Sequence, residues 1–177
     1  FRTAWSERHV RPLLAMESAQ GLFGGVFSAL YVLFAVRTLG LSPSMLGLAI
    51  AAGGAGALLG AGLAPLLARR LGHGPAILAA MAGAALAVLI TPLAPASPTT
   101  GLAMLVVSQF VGDALAVAGG VLAASLRQTL VPQAALARVA GAFQAGPGAM
   151  AVIGALGGGA LGAAIGPRAA LLVAALG

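Results

Sequence analysis

The chain has 177 residues, of which 60% are hydrophobic and only 7% charged, and its mean hydropathy is +1.07. Soluble domains carry about 25% charged residues, and nine basic and three acidic side chains cannot form the polar coat of a water-soluble domain. Intrinsic disorder is excluded as well, because so much apolar surface has to be buried. The composition therefore predicts an integral membrane protein.

The net charge of +6 comes from nine arginines that are scattered along the chain. Nucleic-acid-binding surfaces gather basic residues into a stripe with stacking aromatics, so we expect no nucleic-acid partner. There is no cysteine, and His9 and His73 lie far apart, so we predict neither a metal site nor a cofactor. The predicted spans contain no nucleophile–base pair, and we do not expect an enzyme.

Charged residues and Pro/Gly clusters divide the chain into apolar stretches near the length of about 20 residues that a transmembrane helix needs. After a cytoplasmic linker over 1–12, the predicted spans are 13–36, 43–68, 75–90, 101–126 and 139–165, with a truncated sixth over 168–177. Ser42-Pro43 is typical of a helix start, with a capping residue before proline. The predicted fold is an all-α polytopic bundle of five complete transmembrane helices plus a truncated sixth.

The arginines favour one orientation of this bundle. Alternating the spans across the bilayer places seven arginines on one side and two on the other. The first set is Arg2, Arg8, Arg11, Arg69, Arg70, Arg127 and Arg138, and the second is Arg37 and Arg168. The side rich in arginine is predicted to be cytoplasmic. Two groups of three spans, 13–90 and 101–177, would be inverted relative to each other, and inverted three-helix repeats are typical of transporters.

Two loop segments carry recognisable motifs. Residues 67–74 read Leu-Ala-Arg-Arg-Leu-Gly-His-Gly, and residues 126–139 contain Arg127, Pro132 and Arg138. The first resembles the loop between the second and third helices of each half in the major facilitator superfamily, whose Arg-x-Gly core corresponds to Arg70-Leu71-Gly72. The acidic residue usual before that arginine is replaced by Arg69. The second segment resembles the join between the tenth and eleventh helices of that family.

This resemblance covers nearly the whole chain and is closest to bacterial drug and siderophore exporters. It implies the carboxy-terminal half of a twelve-helix transporter in the bacterial cytoplasmic membrane, whose partners are the lipid bilayer, an amino-terminal six-helix half, protons and a small-molecule substrate. The implied activity is proton-coupled efflux of a small amphipathic compound by alternating access. Two alternatives stay open, namely a nutrient importer or facilitator of the same fold and a membrane sensor or scaffold that does not transport.

Two carboxylates lie within the predicted spans, where an ionisable residue is costly and indicates a functional site. Asp113 lies twelve residues into the fourth span, roughly 18 Å along the helix and close to the bilayer midplane. It is interpreted as a proton-coupling residue or, alternatively, as a structural aspartate bonded to a neighbouring helix. Glu17 lies about 6 Å inside the cytoplasmic end and either takes part in coupling or reaches water or an arginine.

Small and polar residues share a helical face with each carboxylate. Gln109, Asp113, Ala116 and Gly120 follow i, i+4, i+7, i+11 spacing on the fourth span. The first span carries a similar stripe of Glu17, Gln20, Gly21, Gly24, Ser28 and Tyr31. These stripes predict the walls of a water-filled cavity, and the family resemblance implies that these two helices line it.

Two further sets of residues have predicted roles. Gly154, Gly158 and Gly162 on the fifth span, and Gly56 and Gly60 on the second, recur every four residues and predict close helix contacts. Arg70, Gly72, Arg127 and Arg138 in the loop motifs are interpreted either as topology anchors or as a cytoplasmic gate. In the second case, the arginines would bind helix C-termini when that side closes.

Overall fold

A computed structural model describes residues 11–130 and 133–176 of the chain. The predicted linker, with Arg2, Arg8 and His9, lies largely outside these residues. The helices are α1 (Arg11–Leu33), α2 (Pro43–Leu71), α3 (His73–Val88), α4 (Ile90–Leu93), α5 (Pro98–Leu130), α6 (Gln133–Ile165) and α7 (Pro167–Leu176). A π-helical turn over Phe34–Thr38 extends α1. The described part of the chain contains no strand.

Five helical stretches are long and apolar enough to cross a membrane. They are Arg11–Thr38, Pro43–Leu71, His73–Leu93, Pro98–Thr129 and Val139–Ile165, and Pro167–Leu176 is a shorter apolar helix. The prediction of an all-α membrane bundle is confirmed at this level. Large apolar side chains cover the outer surface, where Leu58 is 79% and Leu156 74% exposed. Such a surface is unfavourable in water and suits the hydrocarbon of a bilayer.

The helices extend past the predicted spans on both sides of the fourth loop. Helix α5 ends at Leu130 rather than near residue 126, and α6 begins at Gln133 rather than at residue 139. Arginine is a good helix former, so a charge ends the apolar stretch without ending the helix. Arg127 lies in the last turn of α5, where its charge also interacts favourably with the helix dipole.

Glycines in a left-handed conformation make the tightest connections. Gly72 alone joins α2 to α3, with φ 80° and ψ 160°, and its N–H donates to the Ala68 carbonyl at 2.9 Å. Gly166 joins α6 to α7 with φ 85°. An L-residue with a side chain is strained in this conformation, so a one-residue turn here requires glycine. Gly72 of the predicted loop motif therefore has a conformational role.

Helices α1 and α6 pack closely and run parallel. A Cβ added at Gly25 of α1 would meet the Ala151 carbonyl of α6. From the other side, a Cβ at Gly158 would lie 2.8 Å from the Val26 Cα, and one at Gly154 would meet the Leu22 carbonyl. The backbones are in contact because glycine occupies these positions.

A second parallel pair is built in the same way from α2 and α5. A Cβ at Gly56 would meet the Phe110 carbonyl, and one at Gly60 would meet the Ala114 carbonyl. Helix α3 packs antiparallel on α5, since Gly83 lies against Leu115 and Gly119 against Met81. Helix directions therefore alternate along the chain. We call the end that carries Arg11, Arg69, Arg70 and Arg127 the arginine-rich end.

This topology predicts the accessibility of single cysteines in the cysteine-free protein. We expect His73→Cys and Gln128→Cys, both exposed at the arginine-rich end, to react with an impermeant maleimide only from the cytoplasm. Ala96→Cys, exposed at the opposite end, should react only from outside. The measurement is labelling of whole cells and of everted vesicles. Reaction of all three cysteines from the same side would contradict the helix directions.

Candidate functional site

The candidate site is a cavity of about 660 Å³ between α1, α3, α5, α6 and α7. Its volume lies within the range of small-molecule sites, about 300–1,000 Å³. The walls are mostly apolar and include Phe23, Phe27 and Met81. The polar lining residues are Glu17, Gln20 and Arg127. A small solute with an apolar body and one polar end fits this distribution.

An ion pair between α1 and α5 lies at the arginine-rich end of the cavity. The Arg127 Nη1 donates to Glu17 Oε1 at 3.3 Å, and the two side chains are only 17% and 24% exposed. On its other side, the Arg127 guanidinium lies over the Phe143 ring, 4.1 Å from the ring centroid. Phe143 belongs to a buried apolar cluster with Leu14 and Val139. Glu17 therefore contacts an arginine, as its non-coupling interpretation predicts, and its part in coupling stays a prediction.

Gln20 lies one turn above Glu17 on α1 and also lines the cavity. Its Nε2 donates to the Met81 Sδ on α3. This hydrogen bond joins two helices that line the cavity, α1 and α3. Gln20 also borders a shallower cavity of about 410 Å³ together with Ser28 and Val152. The predicted stripe of α1 thus divides between two cavities, and Gly21, which borders the shallower one, also packs on the Pro147 carbonyl.

Asp113 does not border the 660 Å³ cavity. Its Oδ2 lies against the position that a Cβ of Gly53 would occupy, and the Gln109 Cβ lies 3.4 Å from the same point. The predicted stripe on α5 is therefore split, since Ala116 and Gly120 line the cavity. Asp113 and Ala116 are three residues apart and therefore lie about 60° apart around the helix, so they face different neighbours.

Tyr31 lies beside the cavity wall. Its ring packs on Phe27, which lines the cavity, at a centroid distance of 5.4 Å. The Tyr31 side chain is 5% exposed, and its hydroxyl has no hydrogen-bond partner among the described residues. Buried hydroxyls are normally hydrogen-bonded, so this unpaired donor is unusual.

The remaining predicted residues lie at the arginine-rich end but outside the cavity. Arg70 is exposed on the last turn of α2, and Gly72 forms the turn after it. Arg138 falls within α6, but its side chain lies outside those that the structure describes. The structure therefore brings Glu17, Gln20 and Arg127 together and leaves Asp113 and Gln109 on the α2 side of α5.

Sequence reasoning missed two features. The sequence analysis predicts Arg127 in a loop, although Ala116, Gly120, Ala123 and Arg127 continue the helical spacing and all line the cavity. At the opposite end, Arg168 Nη2 donates to the Ala94 carbonyl at 2.7 Å, and its guanidinium lies 5.6 Å from the Phe34 ring centroid. Nothing in the sequence indicates this second contact.

The site consists of an apolar cavity, an ion pair at one end and a carboxylate beyond one wall. These groups can bind a solute and can exchange protons and charge partners. In comparisons with known proteins, no family model, no curated protein and no solved structure matches the chain.

Proposed function

We propose that the chain belongs to a secondary transporter of the major facilitator type, which exports a small amphipathic compound across the bacterial cytoplasmic membrane in exchange for protons. The observation that carries the proposal is the cavity of about 660 Å³ inside a bundle of apolar helices, with carboxylates on two of these helices. A bundle that served only as a scaffold would have no use for such a cavity. The motifs at Arg70-Leu71-Gly72 and at residues 126–139 supply the family resemblance.

The helix contacts support the proposed inverted repeat. If spans one to three and four to six are two copies of one motif, the first span corresponds to the fourth and the second to the fifth. If the two copies are interchanged, the pair formed by spans one and five (α1 and α6) becomes the pair formed by spans four and two (α5 and α2). These are the two parallel pairs that pack through glycines, at Gly25 and Gly158 in one and at Gly56 and Gly60 in the other. Two matching pairs are what an inverted repeat requires.

In the proposed mechanism, two six-helix halves rock about the cavity, which faces one side of the membrane at a time. Asp113 takes up a proton on one side and releases it on the other, because a carboxylate exchanges protons whereas an arginine keeps its charge. We assign Tyr31 as the donor to the ionised carboxylate, because its buried hydroxyl has no hydrogen-bond partner among the described residues and its ring packs on Phe27 of the cavity wall. Proton release thereby becomes linked to occupancy of the cavity.

Reconstitution tests this function against its two alternatives. The intact polypeptide in liposomes is given a pH gradient, and the accumulation of a panel of labelled amphipathic compounds is measured. We expect at least one compound to accumulate with the gradient and to stop accumulating when a protonophore is added. Equilibration that does not respond to the gradient would indicate a facilitator. Specific binding without any flux would indicate a sensor.

A further inference from the structure

We infer that Gly53 of α2 is a positioning residue for the proposed proton carrier, because it leaves the space in which the protonated Asp113 carboxyl lies. The inference rests on the proposed function and states how the carboxyl is held away from the cavity between proton uptake and release. A Cβ added at Gly53 would meet Asp113 Oδ2 and lie 3.3 Å from the Asp113 Cγ. The carboxyl therefore fills the volume that any side chain at position 53 would need.

The surface of α2 beside this carboxyl is apolar. Residues 46–60 are all Leu, Ile, Ala or Gly, and their backbone N–H and C=O groups are hydrogen-bonded within the helix. Among the described residues, no hydrogen bond or ion pair involves the Asp113 side chain. An ionised carboxylate without a partner is costly in such surroundings, whereas a carboxylic acid is tolerated. The position against Gly53 therefore suits the protonated form.

The two oxygens of the protonated carboxyl have different needs. A hydroxyl oxygen carries a proton that has to be donated, whereas a carbonyl oxygen only accepts. Since α2 offers no free donor or acceptor beside Gly53, the oxygen in contact with it, Oδ2, is the carbonyl oxygen. The proton is then on Oδ1, on the side of the carboxyl that faces away from α2.

Tyr31 provides the second position of the carboxyl. Glu17 and Arg127 pair across the antiparallel helices α1 and α5. Tyr31 and Asp113 are each 14 residues further along from this pair, which is about 21 Å and puts them at the same level of the bundle. Tyr31 belongs to the buried cluster that also contains Ala49 of α2. Its unpaired hydroxyl is thus the donor to which the carboxylate turns when it leaves α2.

The proton cycle then consists of two steps at one carboxyl. The O–H bond of Asp113 breaks, the proton passes to water, and the electron pair stays on the carboxylate, which turns from Gly53 to the Tyr31 hydroxyl. Uptake of one proton forms the O–H bond again, and the neutral carboxyl returns to Gly53. Each cycle moves one proton and changes no oxidation state.

Infrared difference spectroscopy of the intact protein in lipid tests this placement. The C=O band of protonated Asp113 is identified by its absence in Asp113→Asn. A C=O group that accepts no hydrogen bond absorbs at a higher frequency than one that does, so we expect the wild-type band at the high-frequency end of the carboxylic acid range. A wild-type band at the frequency of a hydrogen-bonded acid would overturn the inference without any variant of α2.

Gly53→Ala is the decisive variant. Its Cβ displaces only the end of a flexible side chain, so the protein should fold and melt within a few degrees of wild type. The displaced carboxyl reaches water, and its C=O band should shift to lower frequency. In liposomes, accumulation driven by a pH gradient should fall several-fold, because the carboxyl has lost the place in which it keeps its proton.

Two neighbouring glycines provide the matched controls. A Cβ at Gly54 has no atom within 4 Å, so Gly54→Ala should keep the wild-type band and accumulation. A Cβ at Gly56 would meet the Phe110 carbonyl, so Gly56→Ala forces the backbones apart and should melt at a lower temperature than Gly53→Ala.

An unchanged C=O frequency in folded Gly53→Ala would overturn the inference, and so would a melting temperature as low as that of Gly56→Ala. The spectrum does not depend on solute movement. A band shift in Gly53→Ala together with liposomes that show no coupled transport would therefore reject the proposed function and keep the placement of the carboxyl. Coupled transport with the same C=O frequency in both proteins would do the reverse.

Discussion

Gly158→Leu is expected to separate α1 from α6 and to lower the melting temperature of the detergent-solubilised protein by many degrees. A Cβ at this position would lie 2.8 Å from the Val26 Cα, so the backbone itself has to move. Overpacking of this kind costs about 1–3 kcal/mol, and more where side chains cannot rearrange. Because α1 also carries Glu17 and Tyr31, the same displacement should distort the cavity.

Gly157→Leu is the matched control for this substitution. An added Cβ at Gly157 has no atom within 4 Å, and the residue is exposed on the outer surface of α6. Leu156→Ala, which truncates a side chain that is 74% exposed, is the second control. Both variants should keep the wild-type elution volume and melt within a few degrees of wild type. Equal melting temperatures for Gly157→Leu and Gly158→Leu would contradict the close contact.

Asp113→Asn has the largest expected effect on function. Asparagine has nearly the shape of a protonated aspartate but cannot release a proton, so it imitates one state of the cycle permanently. Accumulation driven by a pH gradient should fall to the level of empty liposomes, whereas exchange of labelled for unlabelled solute should continue. A structural aspartate would behave differently, because asparagine replaces many of its hydrogen bonds and transport would then decrease only with folding.

Substrate binding by Asp113→Asn is the internal control for folding. Asp113 does not border the cavity, so the dissociation constant of a transported solute should stay within a few-fold of the wild-type value. A variant that binds the solute, exchanges it and fails to accumulate it has lost coupling alone. Loss of all three properties together would indicate a structural role for Asp113.

The helices could be predicted because span length and hydropathy are local properties of the sequence. The start of α2 at Pro43, after the Ser42 cap, is an example, since Ser42 Oγ accepts from the Met45 N–H at 3.3 Å. The ends of the helices around residues 127–138 differ from the prediction, because charge marks where the hydrocarbon ends rather than where the helix ends. The π-helical turn over Phe34–Thr38 has no signal in the hydropathy pattern.

The candidate site depends on contacts between distant residues, and there the sequence was a weaker guide. Glu17 and Arg127 are 110 positions apart, and their pairing follows from the antiparallel arrangement of α1 and α5. Helical spacing placed Asp113 on one stripe with Ala116 and Gly120, but the close approach of α2 at Gly53 takes Asp113 away from the cavity. The spacing of Gly154 and Gly158 indicates a helix contact, but not that α1 supplies the opposite surface.

Proton movement driven by the solute tests the central claim most directly. Liposomes that contain the intact protein and an internal pH indicator are loaded with a transported solute and diluted into solute-free buffer of the same pH. The account predicts that solute efflux drives protons inward and acidifies the lumen in wild type, and that Asp113→Asn gives no pH change although it binds the solute normally. An equal pH change in both proteins, or solute efflux from wild-type liposomes without any proton flux, would contradict it.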